Sequence, residues 1–92
     1  MIDEDVLRDA LVAGIAEFNV VTSGEVEEAI AAVGGDYAFE LESRLAEWVI
    51  AHVEFVLGLT WPLPKPADLR REQFATVAAL QAAITTAVGG RR

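Results

Sequence analysis

The chain has no cysteine and a single histidine, His52, among its 92 residues. The first absence excludes disulfides, thiolate metal sites and cysteine nucleophiles together. The second argues against a Ser/His/Asp triad. Basic residues are almost missing from the first 54 positions, where Arg8 and Arg44 stand against thirteen of the fifteen acids, a net charge of −11; the remainder carries +3. An acidic surface of that kind repels phosphate backbones and anionic headgroups and attracts basic protein surfaces. Nucleic acid and membrane are therefore not expected partners. The same acids also keep an alanine-rich domain in solution. No apolar run is long enough to cross a bilayer, and Met1-Ile2-Asp3-Glu4-Asp5 lacks the basic and apolar regions of a secretory signal, so a cytoplasmic monomer is the expectation. Paired carboxylates such as Glu27 and Glu28, or Asp3 and Asp5, lack a second ligand type; they read as solvated charges, with no metal site.

Just over half the residues are apolar, and strand-favouring runs are scarce. Helices are then the economical way to bury that surface, and 92 residues suffice for one domain, 1–92, with a modest core. The expected fold is an all-α, up-and-down bundle of three main helices joined by short connecting helices.

Asp3 is placed to cap a first helix, with Leu7, Leu11, Ile15 and Phe18 on its inner face. Thr22-Ser23-Gly24-Glu25 fits a capping box that opens a short helix through Val33, stopped by Gly34-Gly35. A third helix begins near Glu42 or Ser43 and ends at Gly58. Leu45, Val49, Val53 and Val56 form its apolar stripe, and Ser43, Glu47 and Glu54 lie nearly opposite. His52 falls at the core edge, where one nitrogen is satisfied, and Trp48 and Phe55 flank the stripe. Trp61-Pro62-Leu63-Pro64-Lys65-Pro66 is a stiff connector, because proline lacks the amide donor and restricts its predecessor. Trp61 is expected to fold back on the bundle end. A single turn near Leu69 to Phe74 precedes a last helix from about Thr76, with Val77, Leu80, Ile84 and Val88 inward, ended by Gly89-Gly90 and followed by a frayed Arg91-Arg92 tail.

The chemistry concentrates at Ser43. Phe39-Glu40-Leu41-Glu42-Ser43 leads into the third helix and Leu57-Gly58-Leu59-Thr60-Trp61-Pro62 ends it; Pro66-Ala67-Asp68-Leu69, Glu72-Gln73-Phe74-Ala75-Thr76-Val77 and Leu80 follow. Together these resemble the attachment-site helix and later helices of acyl carrier proteins of the discrete polyketide or fatty-acid type. In that family a serine follows a Leu-Gly-x-Asp type of lead and precedes a Phe-Gly-Ile-x-Ile-Pro type of ending, and the spacing from Ser43 to Pro62 needs no gap. The resemblance implies 4′-phosphopantetheine, taken from coenzyme A and attached to Ser43, tethering acyl or aminoacyl groups as thioesters. It implies no catalysis by the chain itself. It also implies a phosphopantetheinyl transferase, and acyltransferase, ketosynthase or other biosynthetic enzymes with basic docking patches, as partners. Glu42, Arg44, Glu47, Trp48, Ala51 and Glu54 would be the docking residues.

The chain departs from the pattern at Glu42, where aspartate is usual, at Arg44, where leucine is usual, and at Trp48, where central fatty-acid carriers have glutamate. Those departures suit specialised partner enzymes. They also feed a second reading, an unmodified helical interaction module with the same docking face. A competing register exists at Gly34-Gly35-Asp36-Tyr37, which resembles the Gly-Gly-Asp-Ser element of peptidyl carriers with tyrosine in place of the serine. Counting forward from Tyr37 puts Val56 where the proline belongs. Ser23, the only other serine, reads as part of a helix-capping turn.

Overall fold

The computed structural model describes residues 3–89. It is a small all-α bundle of four helices, α1 (Glu4–Asn19), α2 (Ser23–Val33), α3 (Ser43–Val56) and α4 (Val77–Gly89), with single 3₁₀ turns at Pro66–Asp68 and Arg71–Gln73. Among the described residues no segment forms a β-strand, and no helix is long and apolar enough to cross a membrane.

Helices α1, α2 and α4 begin where capping chemistry directs them. Asp3 Oδ1 accepts hydrogen bonds from the N–H groups of Asp5 and Val6, which would otherwise lack partners in the first turn of α1. Thr22 and Glu25 satisfy each other's backbone amides at the start of α2. At the start of α4, Thr76 Oγ1 accepts from Ala79 N–H, while the amides of Val77 and Ala78 donate to the carbonyls of Phe39 and Asp36.

Three helices end in one motif. Beyond α3, Gly58 N–H donates to Phe55 C=O and Leu59 N–H to Glu54 C=O, and beyond α2 Gly34 and Gly35 repeat the pattern onto Ala31 and Ile30. This is the Schellman arrangement, whose turning residue adopts positive φ. Gly58 (φ 64°) and Gly34 (φ 116°) meet that demand without strain. Beyond α1 the turning residue is Val20, with φ 56°.

The core lies between α1 and α3. Leu7, Leu11 and Ile15 face Leu45, Val49, Ile50 and Val53, and Val77, Leu80 and Ile84 of α4 close the third side. Helices α1 and α3 run antiparallel: Gly14 opposes His52, and one turn on Phe18 meets Trp48. Leu41, Leu63 and Phe74, all outside the α-helices, are buried with them, and Trp61 packs partly against the core. Helix α2 contributes only Val26 and Ile30 to the interior. Salt bridges hold its outer face, since Arg8 pairs with Glu27 of α2 at 2.7 Å and with Asp36 of the following loop at 2.8 Å.

Two apolar residues assigned inward by periodicity, Val56 and Phe18, sit further out, and so does Phe55, which flanks its stripe. Val56 is 51% exposed, Phe18 39% and Phe55 85%. Val56 is the last residue of α3 and Phe18 lies in the last turn of α1, so each has less of its partner helix to cover it. Gly90 and the Arg91-Arg92 tail fall outside the described residues.

Candidate functional site

The segment leading into α3 is a braced strap. Leu41 N–H donates to Ala75 C=O at 2.7 Å, Val77 N–H donates to Phe39 C=O at 3.2 Å, and Glu40 and Thr76 form an isolated antiparallel bridge. Arg71 adds a hydrogen bond from Nη1 to Leu41 C=O at 2.8 Å while its guanidinium lies over the Phe74 ring, 5.2 Å from the centroid. Leu41, buried, pins the strap from below. Its consequence is a fixed starting point for α3.

Ser43 is the first residue of that helix and is exposed. Glu42, at the cap position, makes no side-chain hydrogen bond to the first turn, so no side chain occupies the amides that open α3. Ser23 offers the informative contrast. It too is the first residue of a helix and exposed, yet Thr22 Oγ1 already accepts from Glu25 N–H at the start of α2. An anion attached to a helix-opening serine is stabilised by uncapped amides and the helix dipole. Of the two serines, Ser43 has that environment.

Glu42, Arg44, Glu47, Trp48 and Ala51 are exposed along α3, as the helical spacing from Ser43 predicts. Glu54 differs. Its carboxylate is 22% exposed, accepts from Leu63 N–H at 2.6 Å, and pairs with Lys65 Nζ at 2.7 Å. The Pro-rich connector folds back across the end of α3 and takes up the charge that spacing alone would leave in solvent. Glu54 is a tie between helix and connector, and the free acidic charge on this face is carried by Glu42 and Glu47.

His52 sits at the core edge as its position implies, with its side chain 15% exposed and Nδ1 3.4 Å from Glu17 Oε2. Tyr37 is 89% exposed in the loop between α2 and α3, not at a helix start, and Asp36 beside it is engaged by Arg8. The arrangement at Gly34-Gly35-Asp36-Tyr37 is a helix stop followed by an ion pair. It lacks the geometry of an attachment site.

The sequence reading missed the tethering of the strap to Ala75 and Val77 and the role of Arg71. Arg71 carried no local signal, because its acceptor lies thirty residues away. A surface groove of about 440 Å³ lies beyond the 3₁₀ turns, between Pro64, Leu69 and Gln73 and the alanine-rich face of α4. Among the described residues no three His, Cys, Asp or Glu side chains gather as a metal site would require. No protein-family model matches the chain, and neither does any curated protein or solved structure.

Proposed function

We propose that the protein is a carrier of the acyl-carrier type, modified with 4′-phosphopantetheine on Ser43. The observation that carries the reading is the pairing of an exposed serine with an uncapped helix start, on a strap fixed by a hydrogen bond to the Ala75 carbonyl and by hydrogen bonds from Val77 and Arg71. The Ser43 hydroxyl would form the phosphodiester, and the opening amides of α3 would face its charge, with Arg44 beside them. The group supplies a thiol on a flexible arm, which holds acyl cargo as a thioester. The chain contributes position, an exposed approach for the transferase and a docking face built from Glu42, Arg44, Glu47, Trp48 and Ala51. No residue of the chain needs to act as acid or base. Partners on this reading are the transferase and enzymes that load or process the cargo, each presenting a basic surface to α3.

A second reading has its own support. Trp48 and Phe55 are more exposed than a core role would allow, at 41% and 85%, which fits an interaction module that binds proteins without an arm.

Intact-mass measurement separates the two. The unmodified protein, incubated with coenzyme A and a broad-specificity phosphopantetheinyl transferase, is expected to gain one phosphopantetheine; Ser43→Ala is expected to gain none, and Ser23→Ala to gain one as the native chain does. No gain in the native chain, also with the host's own transferase, would favour the module. A gain that survives Ser43→Ala would overturn the assignment.

A further inference from the structure

Glu17 of α1 and Trp48, Ala51, His52 and Phe55 of α3 line a surface groove of about 210 Å³. Trp48 and Phe55 stand about two turns apart on one side of α3, and Ala51 between them leaves a low floor. Phe18 braces the Trp48 ring, with the centroids 6.1 Å apart and the planes tilted by 57°, so one wall is held in place. Phe55, 85% exposed, forms the other wall. The Glu17 carboxylate is 60% exposed and lies at the groove's α1 side, in contact with His52 Nδ1 at 3.4 Å.

This combination selects its occupant. An aliphatic side chain would fill the space between the rings but draw water away from the Glu17 carboxylate without offering it a donor, a desolvation cost with no return. An anion would meet the Glu17 carboxylate. A cation is attracted by both ring faces and by the carboxylate, and by a region whose first 54 residues carry −11. Guanidinium suits the shape better than ammonium. It is planar, stacks on an indole and still presents N–H groups edgewise to a carboxylate.

We propose that the groove is an anchoring subsite for an arginine of a partner protein, its guanidinium stacked on Trp48, flanked by Phe55 and paired with Glu17. Ala51 is the floor that makes room for it. Arg44, one turn before Trp48, is the only arginine or lysine of α3 and opposes a second cation on that side. The proposal specifies a chemistry for protein docking and does not depend on whether Ser43 carries an arm.

The test uses the full chain, ¹⁵N-labelled and unmodified at Ser43. The probe is a blocked alanine-based helical peptide with one central arginine, and its control is the same peptide with citrulline, which keeps the shape and loses the charge. The expected result is a saturable shift of the Trp48 indole N–H resonance with the arginine peptide, and affinity weaker by roughly five- to tenfold with citrulline. Glu17→Gln, read at the Trp48 indole, and Trp48→Ala, read at the backbone amides of Ala51 and Phe55, should each weaken binding of the arginine peptide by a similar factor. Ala51→Leu, a change at an exposed helical position that leaves both rings and the carboxylate in place, should abolish it by filling the floor. Equal binding of the two peptides would overturn the proposal, as would native affinity in Glu17→Gln or Ala51→Leu, or the absence of any saturable shift. The mass assay at Ser43 reads none of these quantities, so failure of one proposal leaves the other standing.

Discussion

Glu54 and Lys65, eleven residues apart, form a 2.7 Å ion pair that ties the last turn of α3 to the proline-rich connector. The same carboxylate accepts the Leu63 amide at 2.6 Å, and Leu63 is 2% exposed between two prolines. Because the connector's prolines supply no amides of their own, Glu54 is the anchor for the backbone that carries Leu63 into the core. Glu54→Ala is expected to lower unfolding stability by about 1.5–3 kcal/mol, the range for hydrogen bonds to a charged group. Glu47→Ala, at an exposed position on the same helix, should stay within about 0.5 kcal/mol of native. Urea denaturation of the two variants side by side checks the contrast.

Val20 occupies a position that the other two Schellman turns give to glycine. Its φ of 56° places a β-branched side chain in the left-handed region, where an L-residue costs roughly 1–2 kcal/mol. The side chain is 89% exposed, so its removal sacrifices little packing. Val20→Gly should therefore raise stability by about 0.5–1 kcal/mol, after the greater chain entropy of glycine in the unfolded state is offset. Thermal denaturation would show it as a higher Tm.

Gly14 marks the closest approach of α1 to α3. A Cβ added there would lie 3.3 Å from Cβ, Cγ and Cδ2 of His52. Alanine gains about 1 kcal/mol in helix propensity, but the His52 Cβ is fixed to its own helix and cannot swing aside. The two helices would have to part. Gly14→Ala is expected to be net destabilising by about 1 kcal/mol. In a His52→Ala background, where two of the three contacts are gone, roughly half that cost should disappear, a coupling that a double-mutant cycle measures.

Arg8 binds two carboxylates from different parts of the chain. Its hydrogen bonds hold Asp36 and Glu27 below their ordinary carboxylate values, and the acids in turn raise the Arg8 pKa, Asp36 contributing more than Glu27. Carboxylates with depressed native pKa values contribute stability that is fully present above their unfolded values and is lost as pH falls through the folded ones. The loss should therefore develop below about pH 4 and should vanish in Arg8→Met, whose stability is lower at neutral pH by about 1 kcal/mol. Asp36 is the larger contributor, because Glu27 is 45% exposed and better screened by solvent. Denaturant midpoints measured across pH for native and Arg8→Met chains test the sign.

The readable parts of this protein are those whose signals are local. Asp3, the Thr22–Glu25 box, Gly34 and Gly58 start or stop helices through bonds to residues a few positions away. Leu45, Val49 and Val53 repeat with the helical period and are buried. Ser43 was legible for the same reason, as an exposed residue opening an amphipathic helix. What was hidden depends on distant segments meeting. Helical spacing sets Glu54 opposite the stripe, and only the return of the connector converts it into a tie. Periodicity cannot register Leu63 or Leu41, which enter the core from irregular segments. It assigned Val56 inward because Val56 continues the stripe, although α3 ends at that residue and leaves it 51% exposed. The groove beside Trp48 was invisible for a related reason: Phe18 and Glu17 come from α1, thirty or more positions earlier.

The strap before α3 sets an order of events during synthesis. Its partners are the Ala75 carbonyl and the Val77 amide, and its own carbonyl at Leu41 waits for Arg71. A nascent chain that has emerged only as far as Phe55 already displays Ser43 and most of the α1–α3 core, but nothing fixes where that helix begins. The last quarter of the polypeptide completes the site from behind. Any enzyme that recognises the finished geometry around Ser43, and not the bare sequence, will therefore act after translation has passed residue 77.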